Sequence, residues 1–505
     1  MAKREEWGSR TGFILAAAGS AIGLGDVWRW PYIAYTNGGG AFFIPYLFAF
    51  LTAGIPILIL EYSIGHRYRG STPLSFRRIG RGFEWVGWWQ VAISFVIGSY
   101  YAVIIAWAIS YTVFSFGLSW GQDPEGFFLS SYLQAPAKPS GLGALVPGVL
   151  VPLLVVWGIT LFVLWRGVKQ GIELASRIMM PVFFVLFIAL VIRSVTLPGA
   201  LDGLNLLFKP NWGAMANSSV WIAAYAQIFF SLSICFAIMV TYASYLPKRA
   251  DLSNTALIVG FSNSSVELLA GIGVFGCLGF LAVASNTPVT QVVEDGIPLI
   301  FIAFPTLIDE LPAFNQLFAV VFFFSLVIAG LTSQISIVEV YVAALRDKFD
   351  MSRTTSVIIG GGVAALVSIA FATRGGLYVL DAADHFINEI GAVTAGLLEV
   401  ALVAWVFRQI DELRVHTNAI SDVVVGRWWT WSLMFVTPVV LAFMLFENLR
   451  TELFGARNYE DYPTAFLVRY GWTVVAATLV FGVIAALKRW DERTVDLGTK
   501  QEVSA

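Results

Sequence analysis

Residues 19–32 read GSAIGLGDVWRWPY and lie inside the first long apolar segment of the chain. Gly19, Gly23, Gly25 and Pro31 all weaken a helix interior. Asp26 and Arg29 resist burial in hydrocarbon. Non-helical backbone is tolerated at membrane depth only where it is buried in protein or lines a cavity. The stretch therefore predicts a spanning helix that lets go near its middle. Freed carbonyls there suit a hard cation such as Na⁺, and freed N–H groups at a half-helix N-terminus suit an anion. The competing reading is a glycine-rich helix-packing face.

Composition supports a membrane setting. The chain has 505 residues, 58% hydrophobic and 13% charged, with a mean hydropathy of +0.76. Soluble domains carry about 25% charged residues. The net charge of −2 points to no nucleic-acid or acidic partner. Cys235 and Cys277 sit in apolar runs without metal-ligand spacing and read as small core residues. The opening MAKREEWGSR and the run after it lack a cleavage site of the signal-peptide kind, so the first apolar run is expected to stay as a helix.

A crossing helix needs about 20 apolar residues. Twelve segments qualify, at roughly 11–36, 41–66, 88–117, 146–165, 171–194, 219–246, 254–281, 312–346, 354–373, 377–409, 427–447 and 464–488. Between the seventh and eighth, VVEDGIPLIFIAFP is too short to span and is expected to form a hairpin on the core, about 285–310. Lys and Arg concentrate in alternate loops. The opposite loops hold only Lys138, Lys209, Arg374, Arg450 and Arg457, so both termini are expected to be cytoplasmic.

Two further stretches match the first. Span six contains QIFFSLSICFAIMVTYASY, residues 227–245, with Ser231, Ser233 and Cys235 clustered between Phe230 and Phe236. Spans one and six are five apart, and two interrupted helices in successive five-span halves point to a transporter built from inverted repeats. In span eight, AGLTSQIS, residues 329–336, places the Thr332 and Ser333 hydroxyls side by side. Such hydroxyls can join a cation site, or simply bond the preceding turn's carbonyl.

REEWGSRTGFILAAAGSAIGLGDVWRWPY, NGGGAFFIPY, VWIAAYAQIFFSLSICF, TYASY and AGLTSQIS follow one another along the chain. In these motifs, over roughly the first 410 residues, it resembles the neurotransmitter:sodium symporter family, in particular its bacterial leucine-transporter-like amino-acid branch. The resemblance implies an all-α polytopic membrane protein of twelve transmembrane helices. A 5+5 inverted repeat with discontinuous helices 1 and 6 would be followed by two C-terminal helices. The implied division is a cytoplasmic segment 1–10, repeats at 11–194 and 219–409, helices 11 and 12 within 427–488, and a cytoplasmic tail 489–505. The implied place is the plasma membrane, and a homodimer is left open.

The same resemblance implies a sodium-coupled symporter importing a small neutral, apolar amino acid by alternating access, and no enzyme. The substrate pocket would comprise Ala21, Gly23, Leu24, Gly25, Ile97, Tyr101, Phe230, Ser231, Ser233, Phe236, Ser333 and Ile337. One sodium ion would take Ala21, Asp26, Ser231 and Asn263; a second would take Gly19, Ile22, Ala329, Thr332 and Ser333. An outer gate would pair Arg29 with Asp384, and an inner gate Arg4 with Asp347, supported by Trp7 and Tyr245. Amine-transporting relatives carry an aspartate at the position of Gly23, where glycine leaves room for a substrate carboxylate.

The chain departs from the pattern at Asp26, where asparagine is usual, and at Glu267, where chloride-dependent relatives have serine. An ionised Asp26 would bind sodium tightly and relax the need for a substrate carboxylate. A protonated Asp26 would make transport vary with pH, and a tolerated near-isostere would do neither. Glu267, beside Tyr46, Gln227 and Ser231, would supply the charge that chloride brings elsewhere, giving chloride-independent transport. Glu61, Glu339 and Glu399 also fall within spans, and the resemblance gives Glu61 and Glu399 a hydrated structural role. The alternatives are a sodium-coupled carrier of an amine or a β- or sulfonate-bearing amino acid, and a channel or sensor without coupling. The three histidines, His66, His385 and His416, form no nucleophile–base pair in sequence.

Overall fold

The computed structural model describes residues 5–288, 296–455, 457–491 and 494–495. Among these residues the fold is helical, with no β-strand. The first apolar segment is split into α1 (Arg10–Ala21) and α2 (Leu24–Thr36). The chain continues through α3 (Gly40–Tyr68), α4 (Glu84–Phe114), α5 (Pro147–Trp165) and α6 (Val168–Val195). The sixth apolar segment is split again, into α7 (Ser218–Ser231) and α8 (Ile238–Ala243). Then come α9 (Leu252–Ala284), α10 (Asn315–Phe349), α11 (Arg353–Ala372) and α12 (Gly376–Val406), and two more long helices over 427–454 and Thr464–Leu487.

Among the described residues, ten helices are long and apolar enough to cross a membrane. Two of the twelve segments counted in sequence do not qualify, because each is broken into pieces too short to cross alone. α4 and α10 form the packed centre, where α10 runs against α4 and α1. α6 lies at the periphery and turns Val182, Val185, Ile188 and Ile192 outward. An apolar exposed face of this kind is what lipid contacts.

Local chemistry sets the breaks. α1 begins on Ser9, whose Oγ accepts from Gly12 N at 2.9 Å. It ends where Ile22 turns to an extended ψ of 95°. α2 restarts on Gly23, whose N–H donates to Asp26 Oδ2 at 2.9 Å. In the sixth segment Ser233, Cys235 and Ala237 all adopt left-handed φ, at 51°, 66° and 64°. Each costs roughly 1–3 kcal/mol and persists only where its surroundings enforce it. They do here: Cys235 N donates to Glu61 Oε1 at 2.5 Å, Ser94 Oγ to the Phe236 carbonyl at 2.6 Å, and Thr72 Oγ1 to the Ala237 carbonyl at 3.0 Å. α8 then packs so tightly on α3 that a Cβ on Gly65 would meet the Val240 carbonyl oxygen.

The hairpin expected at 285–310 falls partly outside the described residues. Its described parts are 285–288, which turn away from the end of α9, and 296–310, which is made of short helices packed on the core. Phe304 stacks on Phe322 with ring centroids 4.2 Å apart, and Phe301 lies edge-on to Trp107.

Candidate substrate and ion site

The two breaks face each other across a central cavity of about 740 Å³. All twelve residues expected to line a substrate pocket do line it. Ile97, Phe230, Phe236 and Ile337 form its apolar wall. The polar end is the start of α2, where Leu24 N donates to Tyr101 OH at 3.2 Å. A helix N-terminus with a phenol beside it is a natural seat for a carboxylate. A Cβ on Gly23 would stand 3.3 Å from both Tyr101 OH and Ser333 Oγ, so glycine keeps this space open. A Cβ on Gly25 would sit 2.3 Å from Phe230 Cε1, so the second glycine admits the aromatic ring. The breaks also touch directly, through Ser233 Oγ donating to the Ser20 carbonyl at 3.1 Å.

Asp26 and Ser231 line the cavity and are buried, and Asn263, also buried, lies on α9, which packs against α2. Ser231 Oγ and both polar atoms of Asn263 have no hydrogen-bond partner within the protein. Buried polar atoms are almost always partnered, so these are free to serve a ligand. Among the described residues no Lys or Arg pairs with Asp26, and Glu267 adds a second carboxylate within electrostatic reach. The idle Ser231 and Asn263 oxygens, with a carboxylate that lacks a counter-charge, are donors of the kind a hard monovalent cation takes.

Gly19, Ala329, Thr332 and Ser333 also come together. Ser333 Oγ is 3.3 Å from the Gly19 and Ala329 carbonyl oxygens, and Thr332 Oγ1 is 2.9 Å from the latter. Both hydroxyls bond the preceding turn of α10, and Ser333 also reaches the last turn of α1. Ile22 ends α1 next to them, its N–H donating to the Ala18 carbonyl at 2.7 Å. Glu267 is fully buried and accepts from Tyr46 OH and, at 2.6 Å, from Gln227 Nε2.

The residues expected to form gates pair differently in the structure. Arg29 pairs with Glu389 at 3.3 Å rather than with Asp384, and its guanidinium lies 4.7 Å from the centre of the Phe230 ring. Asp384 is taken by Tyr100 OH at 2.5 Å and Asn388 Nδ2 at 2.9 Å. Glu389 lay unremarked in the sequence, although a carboxylate within a span is itself a flag. At the other end, Arg4 lies outside the described residues, and Asp347 accepts from Ser71 N at 2.7 Å. Trp7 donates to the Tyr245 and Tyr242 carbonyls at 3.0 and 2.9 Å.

The ion pairs here join Glu5 to residues far along the chain: it bonds Arg346 at 2.8 Å and Arg353 at 3.2 Å, and Arg353 bonds Glu339 at 2.7 Å. Tyr245 OH joins them by donating to Glu339 at 2.7 Å. Burial pushes the Glu5 carboxyl up, but the Arg353 and Arg346 guanidiniums outweigh it and hold the group below its ordinary range.

The description of the sodium:neurotransmitter symporter family matches residues 4–127 and 122–492. An uncharacterised sodium-dependent transporter of Methanocaldococcus jannaschii is 41% identical over 482 residues, covering 95% of this chain and 97% of its own. The human sodium- and chloride-dependent GABA transporter 2 is 32% identical over 522 residues, covering 95% of this chain and 85% of its own. The crystal structure of MhsT in complex with L-phenylalanine superposes with a TM-score of 0.75 at 32% identity, over 88% of this chain and all of that one. The chain belongs to the sodium:neurotransmitter symporter family.

Proposed function

We propose that the protein is a sodium-coupled symporter that carries a small neutral, apolar amino acid across the plasma membrane by alternating access, without need of chloride. The observation that carries this reading is the cavity lined by both helix breaks, with buried Asp26 and the unpartnered Ser231 hydroxyl in its wall. Sodium there would be held by this chain's oxygens together with the substrate carboxylate. Ala21, Asp26, Ser231 and Asn263 would serve one ion, and Gly19, Ile22, Ala329, Thr332 and Ser333 a second. Each ion moving down the membrane potential supplies about 2.3 kcal/mol per 100 mV.

The twelve-span architecture, with repeats at 11–194 and 219–409, accounts for both breaks lying at corresponding places. The cavity extends to Glu125, His385 and Tyr459, while Trp7, Tyr242 and Tyr245 pack at the opposite end. This supports an outward-facing arrangement with both termini cytoplasmic. Closure of the outer path would draw Arg29 and Glu389 over the substrate.

The space kept by Gly23 and the apolar wall of Ile97, Phe236 and Ile337 support an amino acid with an apolar side chain. L-phenylalanine, bound in the MhsT structure, is of this kind. Glu267, held by Tyr46 and Gln227, supports independence from chloride. A second reading, a carrier of an amine or a β- or sulfonate-bearing amino acid, rests on the Asp26 carboxylate standing in for the substrate's own. Uptake into proteoliposomes decides between them. Sodium-driven uptake of L-phenylalanine or L-leucine, unchanged when gluconate replaces chloride, is expected; preferential competition by amines would favour the second reading, and uptake indifferent to sodium would contradict both.

A further inference from the structure

Behind the break in the sixth segment lies a cluster that plays no part in the pocket just described. Glu61 of α3, Cys235 of the break and Glu399 of α12 are all buried, and each offers a ligand atom within 4.8 Å of the others. Glu61 Oε1 accepts from Cys235 N, and Glu399 Oε2 accepts from Gln90 Nε2 at 2.6 Å. The remaining oxygens, Glu61 Oε2 and Glu399 Oε1, have no partner, and neither has the buried Gln90 Oε1. Among the described residues no Lys or Arg pairs with either carboxylate. A Cβ on Gly396, one turn before Glu399, would meet Cys235 Sγ at 2.8 Å, so α12 is hollowed where the thiol enters. Two buried carboxylates with idle oxygens and no counter-charge call for a cation. A sulfur aimed between them selects the kind of cation.

We propose that Glu61, Cys235 and Glu399 form a binding site for one thiophilic divalent cation of the zinc class. Gln90 Oε1 stands ready as a fourth donor. Ligand atoms around a bound zinc stand roughly 3.5 Å apart, so a cluster whose ligand atoms already lie within 4.8 Å of one another needs only a small closure on binding. The thiol releases its proton to solvent as the metal binds. A bound ion ties the left-handed Cys235 to α3 and α12 at once, and so fixes a break that alternating access must let move. Zinc is therefore expected to inhibit transport without competing with sodium.

The test needs no transport assay, so its failure is distinct from failure of the symporter reading. The purified full-length chain, stripped with chelator and titrated with zinc chloride in high sodium, is expected to bind one Zn²⁺ per chain. Cys235→Ser and Glu399→Gln are each expected to weaken binding at least tenfold, and Cys277→Ser to leave it unchanged. Cys277→Ser also makes Cys235 the sole thiol. Cadmium added to that variant is expected to give a thiolate-to-metal charge-transfer band, a readout that does not depend on the ligand variants folding. Absence of the band, binding unaltered in Cys235→Ser, or displacement of zinc by sodium would overturn the proposal. Protonation of the two carboxylates would then be their only charge compensation.

Discussion

Arg29 Nη2 stands 3.3 Å from Glu389 Oε1 in the wall of the cavity that Tyr459 also lines. Both side chains are about three-quarters buried, and Asn448 Nδ2 holds the second Glu389 oxygen at 2.9 Å. Partly exposed pairs couple by about 0.2–1 kcal/mol. Glu389→Gln and Arg29→Gln are each expected to lower sodium-driven uptake several-fold, and the double variant to be no worse than the poorer single one. Additive losses in this cycle would show that the two residues act separately.

The cluster at the opposite end gives a pH expectation. The Glu5 carboxyl is held below its ordinary range by Arg353 and Arg346 against the opposing effect of burial. A depressed carboxylate contributes stability that is fully present above its free pKa, about 4.3, and is lost as pH falls through the lower folded value. The contact of Glu5 with Arg346, Arg353 and Val168 N is thus expected to be intact throughout the neutral range. Glu5→Gln should raise hydrogen exchange in segments 5–9 and 166–173 at neutral pH. Exchange that differs from wild type only in acid would contradict this.

Gly23 is the position where one methyl group should matter most. Its Cβ would enter the space between Tyr101 OH and Ser333 Oγ. Gly23→Ala is expected to weaken amino-acid binding at least tenfold while leaving the melting temperature nearly unchanged, since the site is cavity rather than core. Retained affinity would move the carboxylate seat elsewhere.

Much of the site was legible in sequence because its causes are local. The Gly19–Gly23–Gly25 spacing marks the first break, and the Ser231–Ser233–Cys235 cluster marks the second. What stayed hidden depends on which distant chain segments meet. Arg29 takes Glu389 in place of Asp384, which Tyr100 and Asn388 satisfy. Glu5 finds Arg346 and Arg353, more than three hundred residues on. Cys235, an ordinary apolar-run cysteine in sequence, gains two carboxylates only through packing of α3 and α12.

Glu267 offers a clean ion-substitution test. Tyr46 OH and Gln227 Nε2 both point at its carboxylate. Glu267→Ser removes the fixed charge and leaves those donors facing a vacancy an anion could fill. Uptake by this variant is expected to fall at least tenfold in gluconate and to recover in chloride, whereas wild type is indifferent. A variant that chloride does not rescue would leave Glu267 without this role.

The central claim is that the two helix breaks hold sodium and solute together. Binding of radiolabelled sodium to the purified chain, with and without L-phenylalanine, tests it most directly. Linkage requires each ligand to tighten the other by the same factor. Saturable sodium binding strengthened by the amino acid, and weakened at least tenfold in Asn263→Ala, is the expected result. Sodium binding insensitive both to the amino acid and to Asn263→Ala would contradict the account.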